Sequence, residues 1–482
     1  MKRTVIKSWS VLLLLSSAGC ILTQPAPVVR STAPPSATYQ PPAKMPPAGQ
    51  APAIVSATLQ LPVDVPPDPN AKEEVRDGSE LSLEEVVQQV LARNPSLAQM
   101  VSAWQAASAR YPQVRSLDDP VFNSVMAPAS FGSNTVDPGY ALEISQKIPF
   151  PGKLRLRGQT ALAEASAAGN DVEDVRIQLI EAAKLAFFEY YLVERALEVN
   201  KEGLKLLNEF RQSADTRFKT GLVPQQDILQ ADVEIGKQRE RGVVLDRMRK
   251  VARSRINTLM NLPPDSPLLP SPRQPNGSPV LPPVADLREY ALARRPDLKA
   301  LEDRITADQT FLALAYREYY PDLEAAGGYN SIMGNGPMRD LAPQVGVRLN
   351  IPIRLWRRDA AVTEAQAKIA QRRAELVGRS NQVSFQVQEA YEQLVESERV
   401  LDLYKKTILP AADANVKAAQ AAYTTGKIPF LTLIEAQRNL VNLKDRYYEA
   451  TADYFRRLAT LERVIGGPLP PPEELPRPQQ KK

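Results

Sequence analysis

The sequence predicts a mainly α-helical chain with a small β part, built from two copies of one unit. Three observations carry this. The first is an ordered repeat at a spacing of about 200 residues. Leu91-Ala92-Arg93-Asn94-Pro95-Ser96-Leu97 returns as Leu292-Ala293-Arg294-Arg295-Pro296-Asp297-Leu298, and Ile148-Pro149-Phe150 as Ile351-Pro352-Ile353. Thr220-Gly221-Leu222-Val223-Pro224 returns as Thr425-Gly426-Lys427-Ile428-Pro429, with Ala231 and Ala436 in register behind them. Tyr111-Pro112 is read as the counterpart of Tyr320-Pro321. Because the order is preserved, a whole supersecondary unit was duplicated rather than one motif. The second observation is a set of very long helical stretches, and the third is a pair of short alternating segments in each copy.

The elements follow in chain order. Residues 1–20 read as an export signal: a basic start, the apolar run Val11 to Leu15, then Ser16-Ser17-Ala18-Gly19 before Cys20. The apolar run is too short to span a bilayer. Residues 21–78 are rich in Pro, Ala, Ser and Thr without apolar periodicity, the composition of an extended tether. The first repeat occupies 79–262, a Pro-rich linker 263–283, the second repeat 284–466, and a tail expected to be disordered 467–482.

Within the first repeat, Ser82 and Glu85 have the spacing of a capping box for a helix from Leu83 to Arg93. Pro95 interrupts it, and a second helix is expected to about Arg110. A strand is expected over Val121 to Met126. The next is marked by Tyr140, Leu142, Ile144, Gln146 and Ile148 alternating with Ala141, Glu143, Ser145 and Lys147, the period of two of a sheet with one apolar face. Helices are expected from Lys153 to Arg217 and from Pro224 to Leu262. The second repeat gives strands at Leu323 to Ile332 and Gln344 to Ile353 around the loop Gly334-Asn335-Gly336-Pro337. Val345, Val347, Leu349, Ile351 and Ile353 are expected on one face. Helices then run from Trp356 to Tyr423 and from Pro429 to Ile465.

A helix of roughly 65 residues is close to 100 Å long, so such helices must pair lengthwise. Leu179, Ala183, Ala186, Val193, Leu197, Leu204 and Leu207 recur at steps of three and four, as in a coiled-coil seam. The shorter helices before and after each long one add up to its length. The geometry is therefore a two-column hairpin with its turn at Gly221 or Gly426 and the strands at the far end.

Composition narrows the function. The formal charge is +5, with Lys2, Arg3 and Lys7 in the leader and Lys481 and Lys482 at the C-terminus, so the body is near neutral and carries no basic stripe for nucleic acid. The chain has no histidine, and Cys20 is its one cysteine. Zinc sites built on those residues, thiol nucleophiles and Ser-His triads are excluded, and no paired acids form a recognisable constellation. No enzyme, catalytic residue, cofactor or metal site is expected, and the chain itself is not expected to coordinate soft metals. Ala18-Gly19-Cys20 resembles the end of a bacterial lipoprotein box, with Ser17 where that box usually carries leucine. This makes Cys20 the lipidated (palmitate-bearing) residue; ordinary cleavage near Ala18 is the alternative.

Over residues 80 to 466 the chain resembles the TolC family of outer-membrane efflux channels. The resemblance rests on the duplicated order of short helix, helix, two strands, long helix, Thr-Gly turn and helix. Gln146-Lys147-Ile148-Pro149-Phe150-Pro151-Gly152-Lys153 looks most like members associated with heavy-metal efflux. The resemblance implies a homotrimer whose four strands per chain complete a twelve-stranded barrel, continued by a periplasmic α-barrel. It implies a passive conduit in the outer membrane of a Gram-negative-type bacterium, working with a periplasmic adaptor protein and an inner-membrane efflux pump. Physics agrees on one point: bacterial barrels start at about eight strands, so four demand several chains.

The same resemblance assigns roles. Thr220, Gly221, Leu222, Thr425, Gly426 and Lys427 match the tips that dock the adaptor, although glycine followed by proline also serves simply to turn the chain. Asp227 and Tyr423 match a phenol–carboxylate latch that holds the entrance shut. Ile428 stands where the best-known member has a basic residue, with Lys427 adjacent. Of two lumenal acids in that member, this chain keeps one, Glu435, with Thr432 in the other place; three copies of Glu435 would form an acidic ring. Two other readings compete: a periplasmic adaptor, and a lipid-anchored coiled-coil scaffold without a channel. Neither accounts for strands in both repeats.

Overall fold

The computed structural model describes residues 80–128, 139–272, 275, 279–330 and 342–471. All of them belong to one unit, Lys72–Lys482. The leader with Cys20, the tether, the loop Gly334 to Pro337, Ile332 and most of the tail lie outside the described residues.

The first half runs α1 (Leu83–Arg93), α2 (Pro95–Arg115), β1 (Val121–Ala127), β2 (Gly139–Ile148), α3 (Lys153–Lys219) and α4 (Gln225–Leu259). The second runs α5 (Val284–Arg294), α6 (Pro296–Arg317), β3 (Asp322–Asn330), β4 (Ala342–Asn350), α7 (Leu355–Leu403), α8 (Leu409–Thr424) and α9 (Phe430–Ile465). The 67 residues of α3 make a rod of about 100 Å. It packs against α2, α4, α6 and α9, while α7 packs against α6 and α9. Within the expected seam Ala183, Ala186, Val193 and Leu207 are buried, and Leu179, Leu197 and Leu204 are half-buried. Where α2 crosses α3, Tyr111 and Trp104 sit over Gly158 and Gly169; a β-carbon there would come within 3.1 and 3.3 Å of those rings.

Five expectations need correction. The capping box does not form, because Ser82 Oγ donates to the Glu84 carboxylate at 2.7 Å and makes no cap bond to the backbone. The helix after Pro95 continues to Arg115 with Pro112 inside it. Tyr111-Pro112 is therefore not the counterpart of Tyr320-Pro321. Pro95 and Pro296 lie 201 residues apart, as do Val121 and Asp322, and that offset sets Pro321 opposite Pro120. The helix expected from Trp356 to Tyr423 is interrupted by a π-helical turn, Tyr404–Ile408. Pro410 has no N–H for the Lys406 carbonyl and its ring would collide with it, and the widened turn relieves both. Lastly, Ile351 and Ile353 leave the sheet: the Ile353 N–H bonds back to the Ile351 carbonyl at 3.0 Å around Pro352.

The strands form one antiparallel sheet in the order β1-β2-β3-β4. Its register aligns Phe122, Ile144, Gly327 and Val345 in one row and Ile148, Leu323 and Leu349 in another. Side chains alternate between faces. One face therefore carries Phe122, Met126, Tyr140, Leu142, Ile144, Ile148, Leu323, Tyr329, Val345, Val347 and Leu349, with Ser124 and Gln146 as its polar members. The other carries Asn123, Glu143, Ser145, Lys147, Glu324, Gln344 and Arg348, with Val121 and Val125 as its large apolar members. The apolar face is uncovered: Phe122 is 66% and Val345 93% exposed. β1 and β4 each have a strand neighbour on one side alone among the described residues.

Two joints brace the molecule, the first between sheet and helices and the second among the helices. Lys153, the first residue of α3, is 1% exposed. Its ammonium donates to Glu318 at 3.2 Å, to the Tyr320 carbonyl at 3.2 Å and to Asp322 at 2.8 Å. Asp322 also accepts the Phe150 N–H at 2.8 Å, and the Phe150 and Tyr320 rings stack at 4.5 Å. The Ile-Pro-Phe-Pro-Gly-Lys stretch thus works as the seam between strand and helix.

The second joint explains the opening echo. Asn94 donates to the Leu259 carbonyl at 2.9 Å, and Arg295, at the matching position, donates to the Val464 carbonyl at 3.1 Å. In each half the residue before α2 or α6 caps the end of the returning helix. Arg295 also grips Asp297, which receives Arg379 at 2.8 Å. Burial alone would raise the Asp297 carboxyl, but the bonds and charges of the two arginines hold it below its ordinary value.

Candidate gate and docking tips

Both hairpin turns are built alike. After α3 the backbone turns at Gly221, φ +72°, with Gly221 N–H on Phe218 O and Leu222 N–H on Arg217 O, both at 2.9 Å. After α8 it turns at Gly426, φ +73°, with Gly426 N–H on Tyr423 O at 3.0 Å and Lys427 N–H on Ala422 O at 2.9 Å. This paired bonding is the Schellman termination, which needs a left-handed residue after the helix. Thr220 and Thr425 return their hydroxyls to the last helical carbonyls, at 2.9 Å to Arg217 and 3.0 Å to Ala422. Pro224 and Pro429 then precede α4 and α9. The turns leave Leu222 68% exposed, and Thr220, Gly221, Thr425, Gly426 and Lys427 are exposed too.

Behind the turns the two hairpins share one apolar core, including Phe210, Ala214, Ala231, Ile235, Val416, Tyr423, Phe430, Leu433 and Ile434. Tyr423 is 3% exposed. Its hydroxyl donates to Asp227 Oδ2 at 3.1 Å, across from the second hairpin to the first. Burial foremost, and then the adjoining Asp227 charge, push the phenol up to about 12, so it is a protonated donor at neutral pH. Phe430 lies 5.2 Å from the Tyr423 ring.

Arg217 completes the cluster and was not among the expected residues. Its guanidinium carbon stands 4.8 Å from the Tyr423 ring centroid, and its Nη1 donates to the Tyr423 carbonyl. The cation thus comes from the first hairpin, whereas Ile428, at the position matched to a basic residue, packs half-buried on the tip core. Lys427 is exposed and contributes its backbone alone. A basic residue in the last turn of a helix satisfies carbonyls in many helices, so nothing in the sequence singled out Arg217.

The cluster is asymmetric under the repeat. Thr220 and Thr425 are 205 residues apart, and that offset sets Phe218 opposite Tyr423 and Thr432 opposite Asp227. The reciprocal pair cannot form a phenol–carboxylate bond. Higher up, Arg438 donates to Glu234 at 2.7 Å, Lys444 to Glu202 at 2.8 Å, and Arg241 to Asp445, each between the first hairpin and α9. Glu435 stands apart from all of these, exposed between buried Ile434 and Ala436. Among the described residues no group of three or more acids is placed to hold a metal ion, and no helix is long and apolar enough to cross a membrane.

The fold has known counterparts. The chain is 24% identical over 309 residues to the cobalt-zinc-cadmium resistance protein CzcC of Cupriavidus metallidurans, covering 63% of this chain and 70% of that one. It is 19% identical over 349 residues to the toxin and drug export protein A of Aggregatibacter actinomycetemcomitans, covering 67% and 74%. The crystal structure of the outer membrane protein VceC from Vibrio cholerae superposes with a TM-score of 0.66 at 17% identity, over 80% of this chain and 96% of that one. The profile of the outer membrane efflux protein family matches residues 86–262 and 287–467. With two matched stretches spanning both hairpins and all four strands, the chain belongs to the outer membrane efflux protein family.

Proposed function

We propose that three copies of this chain close a twelve-stranded barrel in the outer membrane and continue it as a periplasmic α-helical tunnel. The assembly is a passive conduit between an inner-membrane efflux pump with its periplasmic adaptor protein and the outside. The observation that carries this reading is the sheet: one face almost wholly apolar and uncovered, the other polar, and open edges at β1 and β4. A lipid-facing sheet must close on itself to satisfy its edges, and four strands are too few to do so in one chain.

Within that assembly the tips Thr220, Gly221, Leu222, Thr425, Gly426 and Lys427 receive the adaptor, and exposed Leu222 supplies an apolar contact. Tyr423, Asp227 and Arg217 hold the two hairpins of each chain together and keep the entrance shut. Glu435 supplies an acidic ring when three copies assemble. Cys20 carries the lipid, and residues 21–78 tether it to the body. The similarity to CzcC favours heavy-metal cargo, selected by the pump. The protein's mass in detergent tests the assembly: a trimer is expected, and a monodisperse monomer or dimer would overturn it.

A further inference from the structure

The polar face of the sheet contains a charge arrangement that the conduit reading leaves unused. Arg348 on β4 does not project from the sheet. Its Nη2 donates to Glu143 on β2 at 2.6 Å and its Nη1 to Glu324 on β3 at 3.1 Å. Glu324 is its direct cross-strand partner, but Glu143 lies diagonally two rows further on the same face, opposite Gly328 and Gln344. To reach it the guanidinium must cross the row Ser145, Ala326 and Gly346. Those residues are small, and a β-carbon at Gly346 would meet nothing within 4 Å. The path across three strands is therefore clear of bulk.

The charges on this face nearly cancel. Glu143 and Glu324 are opposed by Arg348 and by Lys147, which pairs with Glu324 from β2. Asp322, at the start of β3, is already taken by Lys153. We propose that Arg348 sets the ion preference of the barrel section: by lying flat across Glu143 and Glu324 it cancels a carboxylate ring and keeps this stretch neutral. The inference rests on the barrel reading, in which the polar face lines the lumen. Without Arg348 each chain would present two carboxylates and one ammonium, a surplus of one negative charge, and three chains would repeat it around one ring. At 10 mM salt the Debye length is about 30 Å, so such a ring would act across a water-filled barrel.

The test is the reversal potential of the purified protein in a planar bilayer under a dilute potassium chloride gradient, for wild type, Arg348→Gln, Arg348→Lys and the triple variant Arg348→Gln/Glu143→Gln/Glu324→Gln. Arg348→Gln should raise the cation-over-anion permeability ratio at least about twofold. Arg348→Lys, which keeps the charge, should stay near wild type, and the triple variant should lose the cation shift. A reversal potential unchanged by Arg348→Gln overturns the inference, as does a triple variant that behaves like Arg348→Gln. Should Arg348→Gln fail to assemble, the triple variant still decides: left with Lys147 alone on this face, it must be more anion-selective than wild type, and a reversal potential equal to that of wild type overturns the inference. Failure of the wild type to insert at all would instead strike the barrel reading.

Discussion

Replacing Tyr423 with Phe removes one oxygen from the tip and leaves its surroundings in place. The ring keeps Phe430 at 5.2 Å and Arg217 above it, and the main-chain bond from Arg217 to the residue 423 carbonyl is unaffected. The chain itself shows that phenylalanine is tolerated at this point of a tip, since Phe218 holds the matching place in the first hairpin. What is lost is a hydrogen bond to a carboxylate at 3.1 Å. Bonds to charged groups contribute about 1.5–3 kcal/mol, which raises the parted population of one hairpin pair by a factor of roughly 10 to 150 at 1.4 kcal/mol per decade. Single-channel recording should show longer or larger openings for Tyr423→Phe. Asp227→Ala should have a similar effect, and the double variant should add little to either, because both remove the same bond. Arg217→Ala should open the entrance further by releasing the carbonyl contact as well. If Tyr423→Phe and Asp227→Ala channels insert as wild type does and conduct no more than it does, the bond is not a latch and the reasoning fails.

Three further outcomes are expected. Lys153→Met removes the charged hydrogen bonds to Asp322 and Glu318, whose carboxylates are partly solvent-exposed, and should cost about 1–3 kcal/mol, read as a lower thermal midpoint of the assembled protein. Stability should depend on pH through Asp297. Its carboxyl is held below the ordinary value in the folded chain, so its contribution is complete above the unfolded value near 4 and is lost as pH falls through the depressed one. Thermal scans should show this acid limb, and Asp297→Asn should flatten it while lowering the midpoint at neutral pH. Gly221→Ala and Gly426→Ala force alanine into φ near +72° at a cost of about 1–2 kcal/mol each. They should weaken co-purification with the adaptor while leaving the detergent mass unchanged.

The sequence made much of this molecule legible because its signals are local. Alternation around Ile144 and Val347 marks strands whose two faces meet different media, and the Thr-Gly-x-x-Pro echo marks turns that require a left-handed residue. Pro410 was equally visible, yet its consequence is a π turn rather than a helix end, because the helix resumes as α8 and packs on α9. The Ser82–Glu85 spacing misled, since a nearer carboxylate, Glu84, captured the hydroxyl. Arg217 and Arg438 act on partners 206 and 204 residues away, and no spacing along one helix encodes such pairings. The echo of Asn94-Pro95 in Arg295-Pro296 was plain, but its meaning, a cap on the helix that returns, needed the fold.

The most direct test of the central claim is to add the purified protein to a planar lipid bilayer and record single channels. Discrete, small, cation-biased openings from a trimer are expected, enlarged by Tyr423→Phe. A protein that stays folded and never inserts would contradict that claim, because the apolar face of the four-stranded sheet would then have some purpose other than lipid.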